Sequence, residues 1–371
     1  MLTVEPTPEA LTPVLAAALA GGEPVAPLPL DPAERDATLA MLQPEQPIEQ
    51  PGIAAVLGTS GSTGRPKGVL LSAAAMIASA EATHDRLGGP GAWTLALPAH
   101  YVAGLMVLVR GVLAGRPVSV TSGDLADLTA PSGGGRHYLS LVPTQLARAL
   151  NDPVITAALG GFDMIMIGGA PAAADLLAAA REAGLSVITT YGMSETCGGC
   201  VYDREPLPGV TIGLRPEDDR IEITGPMVFS GYRLRPDLTE PSLRTNGETR
   251  TLVTADRGRW DHDRLQVLGR IDDVVITGGH NVDLAELERL ARQAPAAAGA
   301  ELAIIGVPDD VWGTMIIAVA DRPVDLDRLR ADLAIDLPAH GLPRRLLDLP
   351  ALPRTSSGKI DRQRLVRLAT G

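Results

Sequence analysis

At 371 residues the chain is longer than a usual single core and has room for a large domain plus a smaller one. Hydrophobic residues make up 45% and aromatics only 3%, which gives a core of Ala, Leu, Val and Ile and excludes a disordered chain. With 32 basic against 44 acidic residues the net charge is −12, which repels a phosphate backbone and argues against nucleic acid as a partner. The first basic residue is Arg35, so the cationic start of a secretory signal is missing, and the longest apolar run, Tyr101 to Val109, is too short to span a bilayer. The expectation is a cytoplasmic protein without a membrane span.

Along the chain, Met1 to Pro51 is rich in Pro and Ala, with one helix expected around Ala10 to Ala20 and no residue that suggests chemistry. From Ile53 short apolar runs alternate with Ala/Leu helices, the pattern of a layered α/β domain. The expected strands are Ile53 to Leu57, Trp93 to Leu97, Pro117 to Thr121, Tyr138 to Val142, Met164 to Ile167 and Ser186 to Thr190. Pro171 to Gly184 reads as a helix joining two of them, with Pro near its first turn and Gly as its stop. After Gly209 shorter strands (Arg220 to Thr224, Thr251 to Thr254, Leu265 to Leu268) suggest a small β subdomain. A boundary is expected near Asp272. Beyond it, Asp283 with Glu286 reads as a capping box opening the helix Leu284 to Arg292, followed by strands Leu302 to Val307 and Met315 to Val319 and a helix near Leu326 to Leu333. The fold class is therefore α/β: a layered N-terminal domain with a small β subdomain, residues 1–270, and an α+β C-terminal domain, residues 271–371.

Of the 32 basic residues only Lys67 and Lys359 are lysine. Lysine differs from arginine as a compact, strongly hydrated point charge, and both lie in Gly/Ser/Thr-rich loops. The first loop is Gly58-Thr-Ser-Gly-Ser-Thr-Gly-Arg-Pro-Lys-Gly68. Its glycines, Gly61 and Gly64 among them, allow backbone N–H groups to converge, its hydroxyls on Thr59, Ser60, Ser62 and Thr63 add donors, and Lys67 adds a cation. That is a polyphosphate cradle, and the lack of a terminal G-K-[ST] sets it apart from a P-loop. Cys197 and Cys200 form a lone C-G-G-C with too few ligands for structural zinc, and read as two small residues lining a wall.

The loop resembles the phosphate-binding signature of the adenylate-forming superfamily of acyl- and aryl-CoA ligases, luciferases and peptide-synthetase adenylation domains. Further motifs follow in that family's order: Tyr191-Gly-Met-Ser-Glu-Thr196, Thr254-Ala-Asp256, Gly269-Arg-Ile-Asp-Asp273 and Pro353-Arg-Thr-Ser-Ser-Gly-Lys359. The resemblance covers residues 50 to 371. Leu97-Pro-Ala-His-Tyr-Val-Ala-Gly104 and Tyr191 to Gly199 are similar to the short actinobacterial 2-succinylbenzoate:CoA ligases of menaquinone biosynthesis. The resemblance implies an AMP-forming acid:CoA ligase that uses ATP, Mg²⁺ and CoA on an aryl acid. Another aryl or acyl acid:CoA ligase and a carrier-protein-loading adenylating enzyme are the alternatives, with a non-catalytic nucleotide-binding regulator further off.

Each motif then has a physical job. Tyr191, beyond a strand end, can stack on the purine, with Gly192, Met193 and Ser194 alongside, or else pack in the core. Glu195 offers a hard oxygen and by resemblance is the metal ligand. Asp256, after a strand, can accept the ribose hydroxyls, although Ala255 stands where the family usually has Gly. Arg270 can reach the same ribose or the α-phosphate, or lie on the surface. His100 is expected at a strand's C-terminal edge near the carboxylate to be activated, with a structural histidine as the competitor. Gly168, Gly169 and Ala170 suit a wall against the acid or a tight strand-to-helix turn. Lys359 is assigned to the α-phosphate and attacking carboxylate, and Lys67 to the departing pyrophosphate. By resemblance Asp272 is a hinge about which the C-terminal domain rotates, bringing Gly278 and Gly279 to the CoA thiol channel. Longer relatives carry an extra segment ahead of the phosphate loop, and a homodimer is expected to cover the face that its loss exposes.

Overall fold

The computed structural model describes residues 1–60, 66–355 and 360–370. The chain divides into two compact units: the first is Met1–Gly213, Glu222–Thr254 and His262–Leu265, and the second is Leu214–Ile221, Ala255–Asp261 and Gln266–Gly371. The division falls inside the strand Thr249–Asp261.

In the first unit, among the described residues, one sheet runs in the order Leu2–Val4, Val25–Pro27, Ile53–Ser60, Pro66–Ser72, Gly231–Tyr232. Its first three strands are parallel, while Ile53–Ser60 and Pro66–Ser72 form an antiparallel hairpin. The second sheet runs Glu205–Pro206, Gly198–Tyr202, Val187–Met193, Met164–Ile167, His137–Leu141, Ala92–Leu95, Ser119–Val120. Val187–Met193 through Ser119–Val120 are parallel. A parallel strand covered on both faces must be apolar throughout, as Met164-Ile-Met-Ile167 is. Leu139, Leu141, Ile165 and Ile167 are almost wholly buried against Leu146, Leu159 and Ala180. The helix Ala73–Leu87 starts on Ser72, whose side chain accepts from the Ala75 N–H, and stops at Gly88 with φ 89°.

The first fifty residues hold more order than their composition suggests. Besides the helix Pro8–Leu19 they supply two strands and the helix Pro32–Leu42, which opens on Asp31 as N-cap with proline at its first position. Arg233, 1% exposed, donates to the carbonyls of Leu42, Gln43, Gln46 and Pro47 and to the Glu49 carboxylate. It thus gathers the orphan acceptors beyond that helix's C-terminus.

In the second unit the strands Leu302–Asp309 and Gly313–Ala320 are antiparallel, and Arg345–Asp348 adds in parallel. Alternate residues face opposite ways. Leu302, Ile304, Ile316 and Ala318 pack on the helices Leu284–Gln293 and Leu326–Leu333, whereas Ala303, Ile305, Ile317 and Val319 pack on Arg362–Thr370. Asp283 caps the helix Leu284–Gln293 by accepting from Ala285 and Glu286 N–H. The reciprocal half of the expected capping box is absent: the Glu286 carboxylate is taken by Arg289, whose guanidinium donates to it twice at 2.7 Å. An arginine one turn on is the stronger, charge-assisted partner. Among the described residues no helix is long and apolar enough to cross a membrane.

Candidate active site

The described ends of the phosphate motif lie in the paired strands Ile53–Ser60 and Pro66–Ser72, with Thr59 opposite Lys67. The Thr59 hydroxyl donates to the Lys67 carbonyl at 3.3 Å, which ties the two sides together. Gly61, Ser62, Thr63 and Gly64 lie outside the described residues, as does Lys359. Lys67 Nζ donates to Glu195 Oε1 at 2.8 Å and to the Tyr232 hydroxyl at 2.7 Å, and sits 4.0 Å from the centroid of the Tyr232 ring. The Tyr232 hydroxyl in turn donates to Glu195 Oε1 at 2.7 Å. Burial pushes the Glu195 carboxyl up, but the Lys67 charge and the two donors outweigh it and hold the group below the usual carboxylate range. An ionised carboxylate 8% exposed is therefore fixed beside an ammonium.

Tyr232 was not singled out from the sequence. Its signal was scarcity: it is one of five tyrosines, on a two-residue strand between Gly231 and the buried Arg233.

Glu195 belongs to a 3₁₀ turn, Ser194–Thr196, between the strands Val187–Met193 and Gly198–Tyr202. Tyr191 was expected beyond a strand end, and the structure instead places it within Val187–Met193, opposite Val201. The parallel ladder with Met164–Ile167 stops at Thr189, and the strand continues by pairing antiparallel with Gly198–Tyr202. Tyr191 thus stands past the end of the parallel sheet, half-buried. A Cβ on Gly192 would lie 2.1 Å from the Gly198 carbonyl oxygen, so what approaches this glycine is the other strand of its hairpin. The Met193 N–H donates to the Thr196 hydroxyl, which itself donates to the Gly198 carbonyl at 2.7 Å, holding the turn that carries Ser194 and Glu195.

His100 follows the strand Ala92–Leu95 and precedes the helix Val102–Leu113. Both its ring nitrogens are buried with no hydrogen-bond partner among the described residues, and the ring lies 4.2 Å from that of Tyr101. Burial holds the imidazole below the usual histidine range against the pull of Glu34. Two unsatisfied buried nitrogens are costly unless something else meets them. Gly168 has a packing reason, since a Cβ there would meet Thr190 Oγ1 at 2.3 Å, and Gly169 has φ 79°. The helix after Ala170 begins only at Ala174, without a side-chain cap. Cys197 and Cys200 are buried thiols that are not joined in a disulfide, and burial pushes Cys197 up to about 12.

In the second unit Asp256 was expected after a strand but lies within Thr249–Asp261, a strand that runs on well past the motif. Arg270 donates to Asp256 Oδ1 at 3.2 Å and to Asp272 Oδ2 at 2.9 Å. Burial lowers the Arg270 pKa, but Asp256 and then Asp272 reverse that and leave it raised. Asp272 lies in the 3₁₀ turn Ile271–Asp273. Gly278 and Gly279, with φ 56° and 81°, form the two-residue turn between Val274–Thr277 and His280–Asp283, a turn that demands positive φ at both positions. A Cβ on Gly278 would also press on the Trp312 ring at 3.1 Å.

Among the described residues no group of three or more metal-ligating side chains occurs. Mg²⁺ takes one or two carboxylates and completes its shell with water and substrate phosphates, so a single ionised Glu195 beside the phosphate hairpin fits it.

Similarity to known proteins agrees with this chemistry. The chain is 42% identical over 376 residues to a probable 2-succinylbenzoate–CoA ligase of Mycobacterium tuberculosis, covering 97% of this chain and 95% of that one. It resembles the structure of o-succinylbenzoate CoA synthetase (MenE) from Bacillus subtilis in complex with the acyl-adenylate intermediate OSB-AMP, with TM-score 0.70, 26% identity and coverage of 97% and 81%. A variant of E. coli MenE with bound OSB-AMS matches with TM-score 0.77 and 25% identity over 100% of this chain and 87% of that one. The family model for AMP-binding enzymes matches residues 3–234, and the chain belongs to that family.

Proposed function

We propose that the chain is an AMP-forming acid:CoA ligase that joins 2-succinylbenzoate to CoA in menaquinone biosynthesis. The observation that carries the adenylation chemistry is the Lys67 ammonium held on an ionised, buried Glu195 at the phosphate hairpin. The acid is inferred from the likeness to the 2-succinylbenzoate ligases, which extends over nearly the whole chain.

In the first half-reaction a carboxylate oxygen of the acid attacks the α-phosphorus of ATP, an acyl–O–P bond forms and the bond to pyrophosphate breaks. Bringing two anions together makes positioning and charge neutralisation the main tasks. Lys67 and the hydroxyls of its loop receive the departing pyrophosphate, and Lys359 neutralises the α-phosphate and the incoming carboxylate. Glu195 would hold a Mg²⁺ ion, which when bound would supply further charge neutralisation on phosphate oxygens. Tyr191 stacks on the adenine, with Gly192, Met193 and Ser194 beside it, while Asp256 accepts the ribose hydroxyls and Arg270 steadies Asp256. His100 offers one ring N–H to the acid's carboxylate, and Gly168 to Ala170 form a wall of the acid site.

In the second half-reaction the CoA thiol attacks the acyl carbonyl, a thioester forms and AMP leaves. Between the two half-reactions residues 271–371 rotate about Asp272, withdrawing Lys359 and presenting Gly278 and Gly279 to the pantetheine arm. ATP and CoA as co-substrates place the reaction in the cytoplasm.

The test is CoA-thioester formation with 2-succinylbenzoate, benzoate and a fatty acid as competing acids, run beside Lys359→Ala. Turnover with 2-succinylbenzoate alone is expected, and Lys359→Ala should lose adenylation by about 10²-fold or more yet still form thioester from presynthesised acyl-adenylate. A preference for another acid removes the substrate assignment. Equal loss in both half-reactions removes the rotation.

A further inference from the structure

Tyr232 and Lys67 both bond Glu195, but they differ in freedom. The phenol is fixed from several sides. Gly231 and Tyr232 pair with Leu70 and Val69, the Tyr232 N–H donates to Thr239 Oγ1 at 2.9 Å, and the ring meets Phe229 edge-on at 4.9 Å. The next residue, Arg233, is wholly buried and anchored on four carbonyls and a carboxylate. Lys67 instead carries its charge on a flexible four-carbon stem whose side chain is 23% exposed. Both donors fall on Glu195 Oε1, and no other residue donates to Oε2 among the described residues.

We propose that Tyr232 is a positioning residue that keeps the Glu195 carboxylate oriented, Oε1 anchored and Oε2 presented, while Lys67 leaves it for the polyphosphate. The proposal rests on the reading of Glu195 as the Mg²⁺ ligand. Without nucleotide Lys67 neutralises Glu195. A polyphosphate offers the ammonium a stronger anion, and its departure would leave a nearly buried carboxylate free to rotate and short of a donor. The phenol bond at 2.7 Å does not depend on the lysine, so the carboxylate stays aimed through the exchange. The ring face, 4.0 Å from Nζ, gives the ammonium a weak hold nearby.

Tyr232→Phe keeps the ring and removes only the hydroxyl. ATP affinity of the full-length protein, measured by titration calorimetry in Mg²⁺ and in EDTA, should separate the roles. The expected result is an affinity in EDTA within about twofold of wild type, and a Mg²⁺ enhancement reduced about tenfold, the scale of one hydrogen bond to a charged group. Equal weakening in both conditions, or an unchanged Mg²⁺ enhancement, overturns the proposal. Glu195→Gln runs in parallel. If it keeps the Mg²⁺ enhancement, the metal-ligand reading fails and takes the proposal with it. Loss in Glu195→Gln with no change in Tyr232→Phe overturns the positioning role alone.

Discussion

The Glu195 cluster and the Asp256 cluster both set carboxylate beside cation, but in opposite proportions. At Glu195 one carboxylate oxygen accepts from two donors, the Lys67 ammonium and the Tyr232 phenol. At Asp256 one guanidinium is shared between two carboxylates, since Arg270 bonds both Asp256 and Asp272. The first arrangement has donors to spare and suits an incoming anion. The second sets two carboxylates at one guanidinium and suits an incoming donor such as a ribose hydroxyl. The settings differ in the cation and not in the carboxylate: the Lys67 and Glu195 side chains are 23% and 11% exposed, whereas Arg270 and Asp256 are 42% and 13% exposed. The more buried Lys67 must exchange partners to meet a new anion, whereas the half-exposed Arg270 can shed water instead.

The largest expected effect comes from breaking the buried pair. Lys67→Met should lower adenylation by about 10²–10³-fold, as removal of a transition-state cation does. It should also cost about 1–3 kcal/mol in denaturant unfolding, because Glu195 is left with the phenol alone. Full retention of stability would mean that Glu195 does not need its counter-ion, and the contrast would collapse. A smaller effect is expected at the other cluster: Asp256→Asn should raise the KM for ATP about tenfold with little change in unfolding, since Arg270 keeps Asp272 and stays partly solvated. A stability loss as large as that of Lys67→Met would show the two clusters to be alike.

The smallest effect sharpens the comparison with a buried group that has no counter-ion. His84 is 7% exposed and accepts from Trp93 Nε1 at 3.4 Å, while the Arg110 guanidinium, 2% exposed, lies 4.9 Å from the centroid of the Trp93 ring. Burial, and then the Arg110 charge, lower His84 from the usual 6.5 to about 4. The unfolded chain therefore binds the proton first, so this contribution to stability is complete above pH 6.5 and is lost as the pH falls toward 4. In His84→Gln the slope of unfolding free energy across that window should flatten. An unchanged slope would place the acid sensitivity elsewhere.

Much of this was legible in the sequence because strands buried on both faces must be written in apolar residues, and Met164 to Ile167 leaves no other reading. A polyphosphate cradle is proposed from glycines, hydroxyls and a rare lysine packed into one loop. What escaped was whatever depends on which of several partners a residue finds in the fold. Tyr191 lies inside a strand because a hairpin with Gly198–Tyr202 extends the pairing beyond the apolar run, and Asp256 because the strand Thr249–Asp261 runs on past the motif. Glu286 fits a capping box by spacing alone, but Arg289 was the competing partner on the same helix. Tyr232 is 165 residues from Lys67, and nothing local to either announces the other. Gly278 and Gly279 were noticed for a channel, and their hairpin turn explains them before any ligand does.

Arg233 gives the first fifty residues a role that their own composition conceals. By drawing the carbonyls after the helix Pro32–Leu42 onto one guanidinium, it fastens that stretch to the backbone position next to Tyr232. A segment with no reactive group of its own therefore helps to set the aim of a carboxylate it never touches. Sequence drift there is constrained less by which side chains it carries than by whether its backbone can still close around one arginine.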